Sequence, residues 1–102
     1  MSASPSYDLK LIQALVGQGA YHVTQTAMRN AVEVGCDQAD IEECVLSLAL
    51  SDFYKSMAAE KRPGAMQDVY RPRFRDRALY VKLQLAIAVN GDQAVVISFK
   101  AL

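Results

Sequence analysis

Residues 79–100, LYVKLQLAIAVNGDQAVVISFK, decide the fold. From 79 to 87 the apolar side chains Leu79, Val81, Leu83, Leu85 and Ile87 alternate with Tyr80, Lys82, Gln84 and Ala86. After the Asn90-Gly91-Asp92 turn signal, Val95, Ile97 and Phe99 alternate with Val96, Ser98 and Lys100. Period two on both sides of a turn signal predicts a β-hairpin with one greasy face. Register then follows from parity. A two-residue Asn90-Gly91 loop sets Lys100 opposite Val81 and mixes the faces, whereas a three-residue loop sets Lys82 opposite Lys100 and Leu83 opposite Phe99. The three-residue loop is therefore expected, and it leaves Tyr80, Lys82 and Lys100 as neighbours on one polar face.

Upstream the period changes. Leu11, Ile12, Leu15 and Val16 form a short apolar stripe stopped by Gly17 and Gly19, and residues 20–24 (AYHVT) read as a short strand. A second helix is expected from about Gln25 to Val34, closed by Gly35. Asp37 can cap a third, in which Ile41, Cys44, Val45, Leu48 and Ala49 recur at helical spacing and Asp40, Glu42 and Glu43 lie where the helix dipole favours negative charge. In SDFYKSM (51–57) Ser51 can cap a fresh helical turn. Phe53 and Met57, four apart, would face the core and turn Tyr54 and Lys55 outward. Pro63 and Gly64 break that segment. MQDVYRPRF (66–74) reads as the strand before the hairpin, with Pro72 ending it or confining it to an edge. Helices first and a meander last give an α+β layout, amino-terminal helices on a mainly antiparallel, twisted sheet. At 102 residues, 1–102 is read as one domain.

Composition narrows the function classes. No basic leader precedes an apolar segment and no apolar run approaches about 18 residues, so a cytoplasmic protein without a membrane partner is expected. Cys36 and Cys44 are too few for a disulfide framework and read as free thiols. The net charge is zero, which argues against a generic nucleic-acid binder, yet the charge is divided. Residues 1–54 carry two basic and seven acidic side chains, and residues 55–82 carry eight basic and three acidic. A concentrated basic region binds phosphates locally, because screening acts over only about 8 Å.

Four stretches in order, SDFYKSM (51–57), QDVYRP (67–72), YVKL (80–83) and VISFK (96–100), resemble the MqsR (motility quorum-sensing regulator) family of bacterial toxins, mRNA interferases with a RelE-like fold. The resemblance implies a ribosome-independent endoribonuclease acting on single-stranded mRNA, with a preference for GCU-like sites, silenced by a cognate antitoxin. It implies that Lys55, Gln67, Tyr80 and Lys100 are the catalytic positions, with Tyr54, Met57 and Arg71 near them. Lys82 joins these as an RNA-binding or transition-state-stabilising candidate. Met66 stands where the family generally carries an aromatic residue. The competing class is a non-catalytic RNA- or protein-binding module of the same fold.

The residue inventory fits cleavage by the RNA's own 2′-hydroxyl, which needs a proton acceptor, a proton donor and cations for the phosphoryl oxygens. His22 is the lone histidine and reads as a packing residue near the helices, which leaves lysine, arginine and tyrosine. Asp68, Asp76 and Asp92 are scattered, so no metal and no cofactor are expected. For Lys55 to act as a base its pKa must fall by about three from the ordinary 10.4, at a cost of roughly 4 kcal/mol. Neighbouring Arg71, Lys82 and Lys100 and partial burial act in that direction. Two assignments remain open: Lys55 as base with Tyr80 as acid, or Lys55 as an electrostatic clamp with Tyr80 handling the proton. Arg71 suits bidentate phosphate binding, and Gln67 can orient a base edge or the scissile nucleotide.

Overall fold

The computed structural model describes residues 4–61 and 63–102; Arg62, counted above in the basic stretch, lies outside them. Three helices come first, α1 (Leu9–Gly17), α2 (Gln25–Glu33) and α3 (Gln38–Ser47), with β1 (Tyr21–Val23) between α1 and α2. A 3-10 turn (Leu50–Asp52) leads into β2 (Phe53–Ala58), followed by β3 (Met66–Tyr70), β4 (Arg73–Phe74), β5 (Arg77–Ala88) and β6 (Gly91–Ala101). The main sheet runs β1-β6-β5-β3-β2, and β4 pairs with β5 off that path. Only the β1–β6 pairing is parallel, so the α+β reading holds.

The helices end where their caps dictate. Asp8 accepts from the Lys10 N–H at the start of α1, and Thr24 accepts from the Ala27 N–H at the start of α2. At α3 Asp37 and Asp40 accept reciprocally from each other's backbone N–H, a full capping box. Their inner faces, Ile12 and Val16 of α1, Ala27 and Ala31 of α2, and Ile41, Cys44 and Val45 of α3, share one core with Tyr70, Leu79, Val81, Leu83, Val96 and Phe99 from the sheet. Leu11 and Ala49, expected inside, are exposed: α1 presents Leu9 instead, and the chain is already extended at Leu48. Both cysteines are free, and burial pushes the Cys44 thiol up to about 12, which keeps it an inert packing group. No helix is long and apolar enough to cross a membrane.

Two sequence expectations are corrected. SDFYKSM is not a helical turn, because from Phe53 onward it is a strand paired to β3. Four-residue spacing is ambiguous, since an even number of strand residues also returns to one face. A bulge between Phe53 and Lys55 then shifts the phase. Phe53 therefore faces the core, edge-on to the Tyr70 ring at 5.6 Å, while Met57 turns to the opposite face beside Gln67. The hairpin loop is the other correction: it is two residues, Val89-Asn90, between the paired Ala88 and Gly91. This offset, one position from the rejected Asn90-Gly91 loop, places Ala94 and Val96 inward instead of Val95 and Ile97. A bulge opposite Lys82/Leu83 then adds one residue to β6 and returns Phe99 to the core opposite Val81. Thr24 accommodates that bulge, since the hydroxyl that caps α2 also donates to the Ile97 carbonyl.

Pro72 does end β3, but β3 is interior, lying between β2 and β5. Between β4 and β5 the tight turn puts Arg75 and Asp76 at φ 53° and 62°, the left-handed region a two-residue hairpin turn requires and a non-glycine residue resists. Asp76→Gly is expected to stabilise the fold by about 1 kcal/mol, read as a Tm rise of about 5 °C in a thermal melt.

Candidate active site

Helices cover one face of the sheet, and the other face carries the polar side chains in register. Tyr80 on β5 lies directly opposite Lys100 on β6. The Lys100 Nζ is 5.0 Å and the Lys82 Nζ 5.8 Å from the Tyr80 ring centroid, so one phenol ring has lysine amines from both β5 and β6 beside it. The expected neighbourhood of Tyr80, Lys82 and Lys100 is present, although Lys82 pairs with Ser98 rather than with Lys100.

The next row runs Lys55, Val69, Lys82, Ser98 from β2 to β6. Val69 is fully buried but not within the helix-side core, and it forms an apolar floor with a lysine on either side. A third row crosses all five strands of the main sheet path. Met57 pairs with Gln67, Gln67 Nε2 donates to Gln84 Oε1 at 3.0 Å, Gln84 pairs with Val95, and Val95 pairs with His22. A cleft of about 790 Å³ lies over this row, bordered by Lys82 and by Glu60 and Lys61 of the β2–β3 connection.

The β2 bulge positions the remaining group. Tyr54 is the residue left over in the pairing and swings out, half-exposed, to stack against Arg71 at 4.4 Å, with the Lys55 Nζ 5.6 Å from its ring. The Arg71 N–H donates to the Asp52 carbonyl at 2.8 Å, which ties the end of β3 to the 3-10 turn before β2. The other described arginines of the basic stretch, Arg73, Arg75 and Arg77, point elsewhere. Arg75 bridges Asp40 at 2.6 Å and Glu43 at 3.0 Å on α3, Arg77 donates to the Val34 carbonyl, and Arg73 donates to the Asp76 carbonyl. Among the described residues these ion pairs of Arg75 are the only ones, so Lys55, Arg71, Lys82 and Lys100 have no acidic partner within the described chain.

Two groups on this face are pushed in opposite senses. Burial, reinforced by the nearby Tyr54 phenol, pushes the Tyr80 hydroxyl above its ordinary value and holds its proton. Lys82 moves in the other direction, because burial and the Lys100 and Lys55 ammonium groups disfavour its charged form, with Glu60 opposing them. Titratable groups whose surroundings push them in opposite senses are the usual components of an acid–base pair.

The structure thus gathers every sequence-named residue on one face: Lys55, Gln67, Tyr80, Lys100, Tyr54, Met57, Arg71 and Lys82. It corrects His22, which does not pack against the helices but is exposed at the far end of the third row. Gln84, nearly buried, was overlooked. Its signal was its phase, because it shares the parity of Tyr80 and Lys82 along β5. Among the described residues no three His, Cys, Asp or Glu side chains converge in a way that could hold a metal ion.

Helices behind and unpaired cations with phenols in front define the class, a small α+β protein with an anion-receptive sheet. The chain belongs to the motility quorum-sensing regulator family, described as the toxin of MqsA, whose family model matches residues 4–101. It is 36% identical over 97 residues to the mRNA interferase toxin MqsR of Escherichia coli (strain K12), a match covering 95% of this chain and 94% of that protein.

Proposed function

We propose that the chain cleaves single-stranded mRNA by attack of the ribose 2′-hydroxyl on the adjacent phosphate, with no metal, at GCU-like sites in the cytoplasm, and that a cognate antitoxin silences it. Family membership makes it an endoribonuclease of the mRNA interferase class. The observation that carries the chemistry is the phenol of Tyr80, its proton held by burial, with the amines of Lys82 and Lys100 beside its ring.

In this reading a phosphate lies over the Tyr80 row, where Arg71, Lys55 and Lys100 supply positive charge to the phosphoryl oxygens as negative charge grows on them. Lys82, whose burial and lysine neighbours shift it toward the neutral form, takes the proton of the 2′-hydroxyl. The 2′-oxygen bonds to phosphorus, the bond to the 5′-oxygen breaks, and the Tyr80 hydroxyl gives its proton to that oxygen. The products are a 2′,3′-cyclic phosphate and a 5′-hydroxyl, with Lys82 charged and Tyr80 ionised until a proton passes back through water. This reading keeps Lys55 as the clamp of the second assignment left open by the sequence and Tyr80 as the proton donor, and gives the base role to Lys82 instead of either. Tyr54, stacked on Arg71, holds that guanidinium in place.

The test is to incubate the protein with labelled single-stranded RNA in excess EDTA and identify the ends. Continued cleavage with cyclic-phosphate and 5′-hydroxyl ends is expected. Loss of cleavage in EDTA would overturn the metal-free route, and retention of RNA without cleavage would favour the binding-module alternative. Growth arrest on expression, relieved by co-expressing the adjacent small gene, would support the antitoxin.

A further inference from the structure

The third row of the open face is not used by the chemistry above, and it is built as a recognition site. Gln84 is nearly buried in the middle strand, yet its amide Nε2 makes no hydrogen bond within the chain. No buried side-chain polar atom among the described residues lacks a partner, so that amide opens onto the cleft. Gln67 Nε2 donates to Gln84 Oε1, which ties the two amides together and leaves Gln67 Oε1 as a free acceptor and Gln84 Nε2 as a free donor at the cleft. On either side the Met57 thioether and the Val95 side chain give flat apolar flanks, and the roughly 790 Å³ volume is that of a small-molecule pocket. An apolar slot with a donor and an acceptor on its floor suits an aromatic heterocycle bearing in-plane hydrogen-bonding groups. Each nucleobase presents such an adjacent pair on its Watson–Crick edge, and unstacked RNA bases are read there.

We propose that Gln84 and Gln67 together form a nucleobase subsite over the third row, binding the base of a nucleotide that flanks the scissile phosphate and setting sequence preference at that one position. The subsite rests on the endoribonuclease reading and deepens it. Gln84 is two residues from Lys82 and four from Tyr80 along β5, about 7 and 13 Å. The base read is therefore next to the cut rather than at it. Lys61 borders the cleft and offers charge to the flanking phosphate.

The experiment compares kcat/KM on single-stranded oligonucleotides that share one cut site and differ in a single base on either side of it. For the unaltered protein one flanking position should discriminate by about 5- to 150-fold, the effect of a bidentate base contact. Gln84→Leu should bring that ratio close to unity while ratios at other positions hold. Gln84→Glu keeps the acceptor for Gln67 but turns the donor into a second acceptor, so preference should move to guanine, the base whose Watson–Crick edge offers two neighbouring donors, N1–H and the N2 amino group. Unchanged ratios at every position in both variants would overturn the subsite while leaving the ribonuclease reading intact. Should the unaltered protein cut none of these oligonucleotides, the ribonuclease reading fails by itself. The subsite is then judged by titrating the four nucleoside monophosphates and following backbone amide NMR signals. Saturable shifts at Gln67, Gln84 and Val95 support it, and their absence overturns it. The titration needs no variant, so it also decides the question if either substitution prevents folding.

Discussion

Tyr80→Phe is expected to lower kcat/KM for RNA cleavage by about 10² to 10⁴-fold, the contribution of a positioned proton donor, while leaving RNA binding and thermal stability nearly unchanged. Phenylalanine keeps the ring that Lys82 and Lys100 flank and removes only the hydroxyl. The pH profile separates a proton donor from a packing ring. Because burial raises the Tyr80 pKa above its ordinary 10.0, the phenol stays protonated throughout the neutral range. Activity dependent on that proton is present below the raised value and falls as pH rises through it, so the alkaline limb lies above pH 10. Tyr80→Phe should show the low residual rate without that limb. Undiminished cleavage by Tyr80→Phe would remove Tyr80 from the chemistry.

Asp68→Asn is expected to cost about 2–4 kcal/mol of stability and to lower the urea midpoint by about 1–2 M. Asp68 is 1% exposed, and its two carboxylate oxygens accept from the backbone N–H groups of Ser6 and Tyr7, each at 2.9 Å. The same strap is held by the Tyr7 hydroxyl donating to the Met66 carbonyl and by a hydroxyl contact between Ser6 and Ser56. An asparagine retains one acceptor but turns an N–H₂ toward the second backbone donor, so two like groups face each other in a dry place. The residue is adjacent to Gln67 in sequence and points to the other face, so the strap anchors from behind the strand that carries the site. An unaltered urea midpoint for Asp68→Asn would show that the strap contributes nothing to the fold.

Much of this was legible in the sequence, and the misreadings share a cause. The third helix was readable because five apolar positions, a cap and early acidic residues all agree, and the structure departs only at its last turn. Tyr80, Lys82 and Lys100 were placed together by parity alone, and that survived an incorrect loop because both registers put them on the polar side. What failed were the two bulges. Whether Tyr54 is paired or left over is decided by β3 opposite it, and whether β6 gains a residue is decided by β5 and by the Thr24 hydroxyl, so no local pattern reports either. Met57 consequently was read inward from spacing, although the family resemblance placed it at the site. His22 was misread as packing and Gln84 overlooked for a related reason, because each is an ordinary polar residue on a strand until five strands align them in one row.

The division of charge has a consequence for how the protein meets its substrate. The acidic residues of α3 lie with the helices, and Arg75 is neutralised against two of them, whereas Lys55, Arg71, Lys82 and Lys100 are unpaired on the opposite face. A molecule of zero net charge therefore carries a dipole directed through the sheet. An approaching polyanion feels little attraction at long range but a torque at short range, and encounters with the helical side are repelled. Neutrality in this chain lessens indiscriminate capture of nucleic acid while retaining orientation, so collisions that lead to contact begin with the open face already turned toward the strand.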